Sequence, residues 1–118
     1  MTKAEQDGLA RLAECRRRID QVDLRLLKLL NLRTSIVEEI GRIKQALSLP
    51  IYEPNREDQV FANVVSHNRG PLAADAVRRV FERIIDEMRS IQREQMLDSD
   101  RAQDVEPAHR EAAGNIEE

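Results

Sequence analysis

Twelve positions in the first half of the chain follow an unbroken step of three and four residues: Leu9, Leu12, Arg16, Ile19, Asp23, Leu26, Leu30, Arg33, Val37, Ile40, Lys44 and Leu47. That step keeps residues on one stripe of an α-helix. Eight of the twelve are apolar, as a buried seam requires, and four are charged, three of them basic. A second stripe (Val22, Leu26, Leu29, Arg33, Ile36, Ile40, Ile43 and Leu47) widens the apolar face enough to meet more than one neighbouring helix. Thr2 and Glu5 have the spacing of a capping box and mark the start. The pattern predicts one helix running to about Leu49, where Pro50 stops it, with Gly8 and Gly41 as interior weak points.

Ile51-Tyr52-Glu53 reads as a short extended connector, because Pro54 disfavours helix in the residue before it. Pro54 suits the first turn of a second helix, expected to reach about His67 with Phe61, Val64 and Val65 inward and Val60 beside them. Asn68-Arg69-Gly70-Pro71 is a turn by composition. A third helix is expected from about Ala73 to Met96, with Val77, Phe81, Ile84, Met88 and Ile91 on its inward stripe. Beyond Leu97 the apolar period vanishes, and residues 98–118 read as an acidic, disordered tail after a domain of residues 1–97.

The fold class that follows is all-α, a three-helix protomer with one very long N-terminal helix. At about 1.5 Å per residue, a helix of about 40 residues is about 60 Å long, whereas about 24 residues of third helix cover about 36 Å. Burying a wide apolar face over the full length is easier against a second copy of the long helix, so a homodimer is expected.

Composition supports this picture. The chain has 118 residues, 35% of them charged and only 3% aromatic, with no Trp, which suits long helices rather than a β-sandwich. The net charge of -3 gives no general attraction to nucleic acid or an anionic membrane. Arg16-Arg17-Arg18 does not alter that, since consecutive helical residues fan around the axis and no aromatic residues are interleaved for stacking. One cysteine, Cys15, rules out an internal disulfide and fits a reducing, cytoplasmic setting. The longest aliphatic run, residues 26–30, includes Lys28 and is too short to span a bilayer, and no signal peptide is visible. His67 and His109 have no partner at ligand spacing, so neither a metal nor another cofactor is expected.

The seam cations carry the candidate chemistry. A polar seam residue can set register, and an arginine can reach the surface past its own stem. Arg16, Arg33 and Lys44 together are harder to explain that way, because one carboxylate, Asp23, does not answer three cations. An anionic small molecule with more than one carboxylate, or a phosphate, is the expected complement. Glu53, Arg56 and Glu57 form a second cluster, read equally well as ordinary helix N-terminal chemistry or as acceptors for substrate hydroxyls. Gln92 continues the inward stripe of the third helix one turn past Met88, as a surface amide or as a donor into the same cavity as Lys44.

The runs Arg16-Arg17-Arg18-Ile19-Asp20-Gln21-Val22-Asp23, Leu29-Leu30-Asn31-Leu32-Arg33, Ile40-Gly41-Arg42-Ile43-Lys44 and Pro50-Ile51-Tyr52-Glu53-Pro54-Asn55-Arg56-Glu57 resemble the all-α chorismate mutases. Val80-Phe81-Glu82-Arg83-Ile84-Ile85, with Gln92 beyond, resembles the last helix of that family. The likeness covers about residues 9 to 96 and lies in an ordered combination of side chains. It implies an intertwined dimer with two equivalent sites that convert chorismate to prephenate, without metal or redox cofactor. By position, Arg33 would bind one substrate carboxylate, and Arg16 would bind a carboxylate in the partner subunit's site. Lys44 and Gln92 would donate to the ether oxygen of the breaking bond, Glu57 would accept from the ring hydroxyl with Glu53 nearby, and Arg56 belongs to the motif. Met88 departs from the small polar residue that many relatives carry one turn before the glutamine.

Two rivals remain. An isochorismate pyruvate-lyase of the same fold would use similar cations, although the Arg56-Glu57 pair favours the mutase. A non-catalytic helical dimerisation module would use the seam charges for register and partner choice. Feedback control, where present, is expected from a partner enzyme.

Overall fold

The computed structural model describes the backbone of residues 1–117 and the side chains of residues 1–102. Three helices follow in order: α1 (Lys3–Ala46), α2 (Pro54–His67) and α3 (Ala74–Glu117), and among the described residues there is no strand. The chain divides into two compact units, Met1–Ile36 and Val37–Glu118.

The first unit is the longer part of α1. Its capping box forms: the Thr2 amide donates to Glu5 Oε2 at 3.0 Å, and the Glu5 amide to Thr2 Oγ1 at 3.1 Å. Two amides that the helix itself leaves unpaired are thus satisfied reciprocally. The aliphatic stripe expected from the sequence lies largely in the open, with Leu26 50%, Leu29 62% and Ile36 49% exposed in the single chain.

The second unit holds the end of α1, together with α2 and α3. Helix α1 ends at Ala46 rather than near Leu49, because the chain closes there in a Schellman turn. The Leu49 amide donates to the Lys44 carbonyl at 2.7 Å and the Ser48 amide to the Gln45 carbonyl at 3.2 Å. Ser48 takes the left-handed conformation this requires, φ 57°, where glycine is the ordinary choice. A Cβ in that region costs about 1–2 kcal/mol, and glycine's extra backbone entropy returns about 0.5–1 of it. Ser48→Gly is therefore expected to stabilise the protein by about 0.5–1 kcal/mol, read as a higher denaturation midpoint in urea.

Helix α2 begins with Pro54 in its first turn and ends at His67, as expected from the pattern. The turn after it is built by Asn68, whose side chain accepts from the Gly70 amide at 3.1 Å and donates to the Leu72 carbonyl at 2.7 Å. Gly70, at φ +78°, supplies the backbone conformation.

Among the described residues Phe61, Val77, Ile85 and Met88 are the buried apolar ones, with the Arg78 guanidinium 4.5 Å from the Phe61 ring centroid. The inward face of α3 is turned slightly from its expected line: Ile85 is buried while Phe81, Ile84 and Ile91 are half-buried, although Gln92 is buried on the stripe as expected. Helix α3 also does not end near Met96 but continues to Glu117. Apolar period reports burial, not helicity, and past Leu97 local contacts such as Asp98–Arg101 (3.6 Å) take over. The expected tail, 98–118, thus starts within α3, and its side chains from residue 103 lie outside the described residues.

Candidate active site

Lys44 and Gln92 are the buried polar or charged residues among those described, 8% and 9% exposed. Each is buried on a largely apolar face, so each needs a partner to offset its lost hydration. The Lys44 ammonium donates to the Ile51 carbonyl at 2.9 Å and pairs with Glu53 Oε1 at 2.7 Å. An ammonium has three donors, so a third is left for an oxygen brought from outside. These two contacts also anchor the extended connector to the end of α1.

Glu57 lies one turn into α2, its amide donating to the Glu53 carbonyl at 3.0 Å. Its carboxylate is held from α3: Arg89 Nη2 donates to Oε1 at 2.7 Å and to Oε2 at 2.8 Å. Both side chains are largely covered, 23% and 22% exposed. The bonds to Glu57 raise the Arg89 pKa above its ordinary value, against the opposing effect of burial and with further help from the negative charges of Glu57 and Asp86. The guanidinium also lies 5.2 Å from the centroid of the Tyr52 ring, so the connector is gripped by α3 as well as by Lys44.

One turn beyond Arg89, Gln92 Nε2 donates to the Val37 carbonyl at 3.3 Å, and Gln95 Nε2 donates to the Glu38 carbonyl at 2.9 Å. These amides tie α3 to the last turns of α1. Gly41 allows the approach, since a Cβ there would collide with Gln95 Oε1. The bond from Gln92 is long and uses one of two amide hydrogens, so this donor is easily redirected.

The contacts thus close a ring: α1 through Lys44 to the connector, then Glu57, Arg89 and Gln92, and back to α1 at Val37. All of it lies within the second unit. Two donors and one firmly held carboxylate acceptor are what is needed to stabilise charge growing on one oxygen while accepting from a hydroxyl. Arg56 is exposed on the first turn of α2 and takes no part in the ring; Arg33 is half-buried and Arg16 exposed, both in the first unit. Met88 is buried in the core beside Arg89. Sequence reasoning missed Arg89, although a cation next to the inward stripe and one turn before Gln92 was a usable signal. Among the described residues no group of three or more His, Cys, Asp or Glu is placed to hold a metal, and no helix is long and apolar enough to cross a membrane.

Similar proteins share this arrangement of helices. The family model for chorismate mutase type II matches residues 15–93. A bifunctional chorismate mutase/prephenate dehydratase of Aquifex aeolicus is 33% identical over 86 residues, covering 70% of this chain but only 24% of the relative's length. Among solved structures, a chorismate mutase of Thermus thermophilus aligns with a TM-score of 0.69 at 32% identity, covering 70% of this chain and 94% of that one. The chorismate mutase of Helicobacter pylori, in complex with prephenate, gives the same TM-score at 26% identity, over 74% of this chain and 94% of the other. With more than half of its residues matched by the family model and its helical core shared with two solved members, the chain belongs to the chorismate mutase type II family.

Proposed function

We propose that the chain is a chorismate mutase that rearranges chorismate to prephenate, on the route to phenylalanine and tyrosine. The observation that carries this reading is the burial of two hydrogen-bond donors, Lys44 and Gln92, on largely apolar faces. The rearrangement is intramolecular: a C–O ether bond breaks while a C–C bond forms, and negative charge grows on the ether oxygen. An enzyme speeds it by holding the reactive conformer and by aiming donors at that oxygen in advance. Lys44 and Gln92 take the second task. Glu57 accepts from the ring hydroxyl, and Glu53 keeps the Lys44 ammonium in place. Arg33 binds one substrate carboxylate, and Arg56 adds positive charge at the start of α2.

The working unit in this proposal is a homodimer, with Arg16 of each protomer completing the other's site. Support comes from the aliphatic stripe of α1, whose leucines stay about half exposed in the single chain and need an apolar cover. A second copy of the same helix offers one of matching length and pattern. The mutase domain is assigned to residues 1–97, acting in the cytoplasm, a setting that suits the exposed free Cys15.

The test is to incubate the full chain with chorismate, and separately with isochorismate, and to identify the products by NMR. Prephenate from chorismate is expected. Pyruvate from isochorismate with chorismate left intact would make the chain a lyase instead.

A further inference from the structure

We propose that Arg89 is a positioning residue, which fixes the Glu57 carboxylate in the orientation that receives the substrate's ring hydroxyl. The inference rests on the chorismate mutase reading and deepens it.

Glu57 stands on the first turn of α2, where a glutamate side chain has several rotamers open to it and a hydroxyl partner arrives only with substrate. Arg89 removes that freedom. One nitrogen, Nη2, reaches both carboxylate oxygens at 2.7 and 2.8 Å, which holds the group with both oxygens turned towards α3 at a fixed distance. An ionised carboxylate has about four acceptor sites, so two bonds to Arg89 leave capacity for a hydroxyl.

The guanidinium is itself held. The Tyr52 ring lies against it, and Nη1 stands 3.6 Å from Asp86, which is 57% exposed and so adds little. Nε is buried with no acceptor among the described residues. The location of Arg89 is therefore governed by Glu57 and Tyr52. Because Tyr52 lies between Ile51 and Glu53, the two residues that hold Lys44, the same guanidinium steadies the connector that positions the other side of the site.

A general stabilising role and a positioning role make different kinetic predictions. Steady-state kinetics on chorismate would compare the full chain with Arg89→Met, Arg89→Lys, Glu57→Gln and the Arg89→Met/Glu57→Gln double variant. Loosening a substrate-orienting group is expected to lower kcat/KM about tenfold in Arg89→Met. In the Glu57→Gln background the same change should cost less than about twofold, because the group through which Arg89 acts is already altered. Since a single nitrogen makes both contacts to Glu57, a lysine ammonium can replace that bond though not the stacking on Tyr52, so Arg89→Lys should lose clearly less than Arg89→Met, about threefold.

Equal losses in both backgrounds, or an unchanged kcat/KM in Arg89→Met, would overturn the assignment. If Arg89→Met fails to fold by circular dichroism, Arg89→Gln against Arg89→Lys provides the same contrast. A natural chain with no turnover of chorismate would instead sink the functional reading, and this inference with it, before any variant is compared.

Discussion

Replacing Lys44 with Met is expected to lower kcat/KM for chorismate by about a hundred- to a thousandfold, the usual effect of losing one preorganised donor to a developing oxyanion. The proton count favours this outcome. Two of the three ammonium donors are engaged by Ile51 and Glu53, and the third is the one assigned to the ether oxygen. Methionine keeps most of the stem volume and removes the charge, so packing around the buried position survives. Glu53, the partner left behind, is 46% exposed and regains water at little cost. Loss of the charged bond to the Ile51 carbonyl is worth about 1.5–3 kcal/mol of stability, still below the roughly 5–15 kcal/mol of a typical domain. Activity and stability should therefore separate, with a cooperative melting curve at a lowered midpoint and a collapse in turnover at temperatures where the variant is folded. A dimerisation module with no catalytic role would show no turnover in either protein. Normal turnover in Lys44→Met would remove Lys44 from the site.

Much of this arrangement was legible because it is local or periodic. The spacing of Thr2 and Glu5 gave the capping box, Pro54 gave the start of α2, and the three-four step placed Lys44 on a buried face. What escaped detection depends on partners far away in sequence. Arg89 and Glu57 are 32 residues apart, and nothing in either local pattern calls for the other. The end of α1 was misplaced for a different reason. Ser48 adopts the left-handed conformation that glycine normally signals, so the Schellman turn carries no sequence mark. The extension of α3 past Met96 shows the opposite failure, since a helix continues without an apolar stripe to announce it. Arg56 sits in the motif by position but outside the bonded ring, so for that residue a family pattern and single-chain geometry give different amounts of information.

A dimer made from one Arg16→Ala protomer and one Lys44→Met protomer is expected to recover about half of the natural activity, although each parent homodimer is nearly inactive. Positions 16 and 44 are separated in sequence by about eight turns at 3.6 residues per turn, so an arginine at the first serves a lysine at the second only from another chain. In a two-fold symmetric dimer each variant then damages both sites of its own homodimer. In the mixed dimer the two lesions fall together in one site, and the other site receives an intact Lys44 and an intact Arg16. Losing a charged bond to a substrate carboxylate costs about 1.5–3 kcal/mol, so Arg16→Ala alone should fall roughly ten- to a hundredfold. Recovery to half lies well above that background. Co-expression with two different affinity tags isolates the mixed species, and its kcat per dimer is the measurement. A value no higher than the mean of the two parents would mean that the site is built within one protomer, and the exposed stripe of α1 would then need another explanation.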